Sequence, residues 1–201
     1  MGPAPSSLLF MAFLAVLLAI RAYFAQRTQR TRRDKAVSRS SLFDRALIGL
    51  VGVGQVLLPF VYTMNHVPAF ADRPQPGGCT VVGALAMLAG LRLFWRSHAD
   101  LGDGFSVTLE LNANHRLVTQ GVYRDMRHPM YASLLVLGLG QALLVPNWIA
   151  GLSGIVALGL LIALRLPREE AMMVEQFGDE YRDYRRRVGA IVPRWRKGDA
   201  A

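Results

Sequence analysis

Five apolar runs, nearly free of charge inside, decide most of what this chain can become. A helix that crosses a bilayer needs roughly 20 mostly apolar residues, with a range of about 17–25. The runs Leu8 to Phe24, about Ala46 to Met64 and about Val81 to Trp95 meet or approach that length. A fourth run opens at Tyr131 and a fifth closes near Leu166, separated only by Pro146 and Asn147. A proline–asparagine pair marks a turn, so these two runs read as a tight helical hairpin rather than one long helix. The segment Asn65 to Thr80 holds Pro68, Pro74, Pro76, Gly77 and Gly78 and reads as a loop. The expected fold class is therefore all-α: a polytopic membrane protein with five transmembrane helices, the last two a hairpin.

Charge placement tests that count independently. The 201 residues are 52% hydrophobic and only 18% charged, yet 23 Lys+Arg stand against 14 Asp+Glu, net +9. That balance excludes an acidic solvating tail, a disordered chain and most soluble enzymes of this size. With the N-terminus outside, Arg73 is the single Lys or Arg of the 23 on the outer side, as the positive-inside rule requires. The basic stretch Arg27, Arg30, Arg32, Arg33, Lys35 and Arg39 is explained by this topology and by attraction to anionic lipids. No aromatic residue interleaves with it, so no nucleic-acid partner is expected. No basic segment precedes the first run, which favours an uncleaved anchor over a signal peptide. A C-terminus on the cytoplasmic side of a bacterial inner membrane is the expected location. The single cysteine, Cys79, allows no intramolecular disulfide.

The runs contain almost no ionisable groups, which argues against an ion pathway. Gly49, Gly52 and Gly54 lack the third glycine and the strand of a dinucleotide fingerprint, so they read as close helix packing, as do Gly138, Gly140, Gly151, Gly154 and Gly159. Polar residues concentrate instead between Ser97 and Tyr131 and again from Arg165. The hairpin should return both clusters to one cytoplasmic membrane boundary. Arg165 and Glu169 are spaced i,i+4 on one helical face, which fits either an interfacial salt bridge or part of a site. Pro167 between them should kink or loosen the helix. His128-Pro129 reads as a helix start, whose free N–H groups favour an anionic ligand group. Tyr123 and Tyr131 offer π-faces to a cation, or serve as interfacial aromatics. Beyond Glu170, the stripe Met173, Phe177, Tyr181, Tyr184 and Val188 reads as the packing face of a C-terminal amphipathic helix, interrupted at Gly178.

Three linked motifs carry a resemblance. They are His115 to Tyr123 (His-Arg-Leu-Val-Thr-Gln-Gly-Val-Tyr), Arg127 to Tyr131 (Arg-His-Pro-Met-Tyr), and Glu169-Glu170 followed by Phe177 to Tyr181 and Tyr184. In order and spacing this C-terminal half, roughly 101–194, resembles the isoprenylcysteine carboxyl methyltransferase family of integral membrane enzymes. The resemblance implies S-adenosylmethionine as cofactor, bound without a Rossmann domain. It implies a cofactor pocket of His115, Arg116, Leu117, Val118, Tyr123, His128, Pro129, Met130, Tyr131 and Glu169, with Arg165 serving substrate. It implies a lipophilic small-molecule or prenylated substrate, reached from the membrane. Val122 and Ser133 depart from the proline and glycine common in relatives, and the methyl acceptor stays open among an isoprenylcysteine-like carboxylate, which is favoured, a thiol and an amine. A carboxylate acceptor is already ionised, so no catalytic acid, base or metal is assigned. The chain then divides into three N-terminal helices with a basic loop (1–96) and a catalytic region (97–201). Two rivals remain: an NADPH-dependent sterol-type reductase and a non-catalytic membrane scaffold.

Overall fold

A computed structural model describes residues 4–31, 42–102 and 117–194. Most of the basic stretch, Arg32 to Arg39, and both His115 and Arg116 lie outside the described residues. The described chain is helical. Helix α1 spans Pro5–Thr31 and α2 spans Leu42–Gly52, which continues through a π-helical turn, Val53–Leu57, into α3, Leu58–Asn65. Then come α4, Gly77–Leu101, α5, Pro129–Leu144, and α6, Trp148–Arg187. Among the described residues, four helices are long and apolar enough to cross a membrane: α1, the continuous Leu42–Asn65, α4 and α6. At 16 residues, α5 is apolar but shorter. It is about 24 Å long, against a hydrocarbon core of about 30 Å.

The observed boundaries differ from the sequence reading where local chemistry overrides hydropathy. Helix α4 begins at Gly77 because Pro76 supplies an extended N-cap, and it runs past the apolar stretch to Leu101. Helix α6 does not stop at Leu166. It passes through Pro167 and reaches Arg187, with non-helical dihedrals only at Gly178 (φ 54, ψ −127). Pro167 removes one N–H bond but keeps a helical φ, whereas Gly178 occupies a region that a side chain disfavours. The break therefore falls eleven residues later than the proline.

The hairpin is as expected. Asn147, fully buried, accepts from Ala150 N (2.9 Å) to cap α6, while its Nδ2 donates to Pro68 O (2.8 Å) and Asp72 Oδ1 (2.9 Å). Arg73 and Gln75 donate to the carbonyls of Ala142 and Leu143, at the end of α5 that has no helical partners.

Helices α4 and α5 pack along their length around Met87, Leu91, Phe94, Leu137 and Leu144. Helix α2 packs on α6 through Leu47, Leu158 and Leu161. Polar side chains in the middle of the bundle serve backbone groups there. The π-helical turn displaces Gly54 O from its ladder, and Ser153 Oγ (2.6 Å) and Gln141 Nε2 (2.9 Å) donate to it. In a membrane interior such carbonyls have no water to turn to. The expected glycine packing holds at Gly54, Gly138, Gly140, Gly151 and Gly154, whereas Gly49, Gly52 and Gly159 face open space.

An added Cβ at Gly54 would lie 2.6 Å from the Ser153 carbonyl oxygen. Gly54→Ala should lower stability by about 1–3 kcal/mol, while Gly49→Ala, with nothing within 4 Å, should be neutral or better. Thermal unfolding of the two variants in detergent checks the contrast.

Candidate functional site

The hairpin brings the start of α5 and the middle of α6 to one end of the bundle. There Glu169 Oε1 accepts from Arg165 Nε (2.7 Å) and from the Tyr131 hydroxyl (2.8 Å). His128 Nδ1 stands 3.8 Å from Glu169 Oε2, and its ring stacks on Tyr131 with centroids 5.8 Å apart and planes 20° from parallel. Arg165 is 6% exposed and Glu169 half-buried, so the pair is no solvated surface bridge. Four of the residues singled out in the sequence thus meet: His128, Tyr131, Arg165 and Glu169.

A second ionic cluster adjoins the first. Arg127 Nε (3.0 Å) and Nη2 donate to Glu170 Oε1, and its Nη1 reaches the carbonyls of Arg185 and Val188. Arg185 Nε lies 3.4 Å from Glu170 Oε2, and His128 Nε2 lies 3.4 Å from Oε1. Beyond the apolar run, His128 first and Arg127 next hold the Glu170 carboxyl down, to about 2 from an ordinary 4.5. After α6 the chain turns back, and Gly189 O and Ala190 O accept from Arg127 N (2.9 Å) and His128 N (2.8 Å). The C-terminal segment is in this way strapped across the start of α5.

The other predicted residues within the described chain lie outside this four-residue cluster. Pro129 is buried as the first residue of α5, whose start has no side-chain cap. Met130 packs against the α4–α5 core. Leu117 joins Met173, Val174 and Phe177 around buried Tyr181, Tyr184 and Val188, which makes the C-terminal stripe a packing face. Val118 is half-buried. Tyr123 is buried, donates to Ser97 O (3.1 Å), and accepts at its own carbonyl from the Tyr184 hydroxyl. Burial pushes the Tyr123 and Tyr184 hydroxyls up, and that of Tyr181 to about 12, so all three stay neutral.

Asp44 was not legible as a site residue. It is buried at 4% exposure in the first turn of α2. The antiparallel register explains why: Arg168 lies 5.0 Å over the Phe43 ring, and Leu47 packs with Leu161 and Tyr131. Asp44, between Phe43 and Leu47, therefore lies at the end of α2 that packs near Tyr131 and Arg168. Its sequence neighbours, Phe43 and Arg45, made it look like an ordinary helix-start acid. Among the described residues, no group of three or more His, Cys, Asp or Glu could hold a metal ion.

A polytopic helical membrane protein with a half-buried ionic site at the open end of its hairpin is what fold and site together define. Residues 82–175 match the model of the isoprenylcysteine carboxyl methyltransferase family, and over these residues the chain is similar to it. It is 36% identical over 94 residues to a protein-S-isoprenylcysteine O-methyltransferase of Schizosaccharomyces pombe, covering 46% of this chain and 40% of that one. Against protein-S-isoprenylcysteine O-methyltransferase A of Arabidopsis thaliana the identity is 27% over 140 residues, 69% of this chain and 71% of that one. The human protein-S-isoprenylcysteine O-methyltransferase is 31% identical over 57% of this chain and 41% of its own length. The matches therefore span less than half of the fission-yeast and human relatives. A solved structure of the eukaryotic intramembrane Ras methyltransferase isoprenylcysteine carboxyl methyltransferase superposes with a TM-score of 0.58 at 21% identity, covering 94% of this chain and 68% of that one. The fold is shared.

Because the folded Glu170 carboxyl titrates below its ordinary value, its stabilising contribution is complete above about 4.5 and is lost as pH falls toward about 2. Wild type should unfold at a higher temperature than Glu170→Gln near neutral pH. The gap should close across that acid window. Thermal scans at stepped pH measure it.

Proposed function

We propose that the chain is an S-adenosylmethionine-dependent methyltransferase of a lipophilic substrate, with an isoprenylcysteine-like carboxylate as the favoured acceptor. One observation carries the reading: Arg165, Glu169, Tyr131 and His128 converge at one membrane boundary in a chain similar to named isoprenylcysteine O-methyltransferases. The distribution of basic residues supports a cytoplasmic placement of this end and an outside N-terminus. It also supports contact with anionic lipids. A fifth crossing by α5 fits the hairpin, with 1–96 as support and 97–201 as the catalytic region.

The donor set fits such a cofactor. A sulfonium is drawn to a carboxylate and to aromatic faces, which Glu169 and the stacked His128 and Tyr131 supply. The α5 start, with Pro129 first and no side-chain cap, suits an amino-acid carboxylate. By resemblance Leu117, Val118, Tyr123, Met130, His115 and Arg116 complete the pocket. S-adenosylmethionine, when bound, supplies an electrophilic methyl group. The chain's part is to hold and orient. The Tyr131 hydroxyl and Arg165 fix the Glu169 carboxylate, and Arg165, oriented by it, is placed to receive an acceptor carboxylate through its planar fork. Holding the acceptor in line within about 3–3.5 Å of the methyl carbon accounts for catalysis without a general base.

Saturating S-adenosylmethionine should raise the stability of the purified protein, by about 2.7 kcal/mol at a hundredfold excess over Kd. Glu169→Gln should lose that response. Arg165→Lys should keep most of it and lose methyl transfer about tenfold or more. Stabilisation by NADPH alone would sink the reading in favour of a reductase, and response to neither ligand would favour a scaffold.

A further inference from the structure

A basic cleft lies on the outer side of α4, away from the ionic site. It encloses about 570 Å³ between Ala89, Arg92, Leu93 and Arg96 on the helix and Gly121, Val122, Arg124 and Asp125 on the turn before α5. The helix residues sit at i, i+3, i+4 and i+7 and so form one face. That face is opposite the one buried against the bundle through Met87, Gly90, Leu91 and Phe94. It therefore faces lipid.

Its depth is marked by neighbouring aromatics. Trp95 stacks on Tyr23 of α1 with centroids 5.6 Å apart, and both rings are exposed. Exposed tryptophan and tyrosine settle at the headgroup level. Arg96 adjoins Trp95 at that level, Arg92 and Leu93 lie up to one turn deeper, and Ala89 lies deeper still, toward the hydrocarbon. The turn that forms the other wall is held in place. Val122 N donates to Asp100 Oδ2 (2.9 Å), and Gly121, at φ +60, leaves no room for a Cβ beside the Asp100 carboxylate.

The charges do not balance within the protein. Arg96 pairs with half-buried Asp100 (3.3 Å) and Arg124 with exposed Asp125 (3.5 Å), and Arg92 makes no ion pair among the described residues. Three guanidiniums against two carboxylates leave one positive charge over in a lipid-facing cleft and call for an anion, because charge inside the membrane is costly unless paired. We propose that the cleft is a binding site for the headgroup of an anionic phospholipid. Arg92, Arg96 and Arg124 take the phosphate, and the acyl chains run along Ala89 and Leu93. Guanidinium forks suit phosphate oxygens bidentately. The site stands whether or not the chain transfers methyl groups, since none of its residues belongs to the ionic cluster.

The test uses full-length protein in neutral detergent, titrated with phosphatidylglycerol, phosphatidylcholine or inorganic phosphate. Thermal midpoint and lipid retained in native mass spectrometry are read. Phosphatidylglycerol should raise the midpoint by several degrees and remain bound, while the other two do neither. The double variant Arg92→Gln/Arg96→Gln should lose both effects, and Arg182→Gln, on the C-terminal helix, should keep them. If the double variant fails to fold, Arg124→Gln in the turn serves in its place and should weaken retention at least threefold. Equal response to phosphatidylcholine or to free phosphate overturns the proposal, as does unchanged retention in the arginine variants.

Discussion

Asn147 holds the reversal on which the site depends. Its side chain caps α6 through Ala150 N and ties the turn to Pro68 O and Asp72 on the opposite loop. A buried amide that satisfied its donors and acceptor less fully would cost about 1–3 kcal/mol per lost partner. With the turn pinned, α5 and α6 run antiparallel. Residues 128–131 and 165–170 must then meet at the other end, though about 35 residues separate them in sequence. The same logic explains Gln141 and Ser153, which donate to the carbonyl freed by the π-helical turn at Gly54. In hydrocarbon, an irregular backbone survives only where side chains replace water.

The site follows from this geometry and from length. An apolar run that ends at Leu166 inside a helix that continues to Arg187 carries Glu169 and Glu170 just past the hydrocarbon. There a carboxylate can stay ionised if it is paired. Glu169 is paired by Arg165 and Tyr131, Glu170 by Arg127, Arg185 and His128. The two adjacent acids thus do different work. Glu170 fastens the returning C-terminal strap, and Glu169 faces the aromatic pair at the start of α5.

Much of this was written plainly in the chain. Hydropathy marked the runs, a proline–asparagine pair marked the hairpin, and i,i+4 spacing marked Arg165 and Glu169. What stayed hidden depends on neighbours from distant segments. Asp44 reads as a helix-start acid until the register of α2 against α6 places it at the end that packs near Tyr131. Tyr123 shares a motif with the site residues, and its hydroxyl donates to Ser97 O while its carbonyl accepts from Tyr184. Pro167 reads as kinking or loosening α6, yet the non-helical dihedrals fall only at Gly178, where the sequence also places an interruption, because a proline's cost in one lost bond can be absorbed where a positive φ cannot be moved. Gly49, Gly52 and Gly54 look alike in sequence, yet Gly54 alone of the three meets a neighbouring helix.

The central claim is that the Tyr131–Arg165–Glu169 cluster serves methyl transfer to a carboxylate. The most direct measurement incubates the purified protein with methyl-labelled S-adenosylmethionine and an S-prenylated cysteine that has a free carboxylate. The label should appear in the organic phase as a base-labile methyl ester with wild type, and fall to background with Glu169→Gln. Tight cofactor binding with no transfer to the carboxylate, or transfer that Glu169→Gln leaves unchanged, would contradict the account.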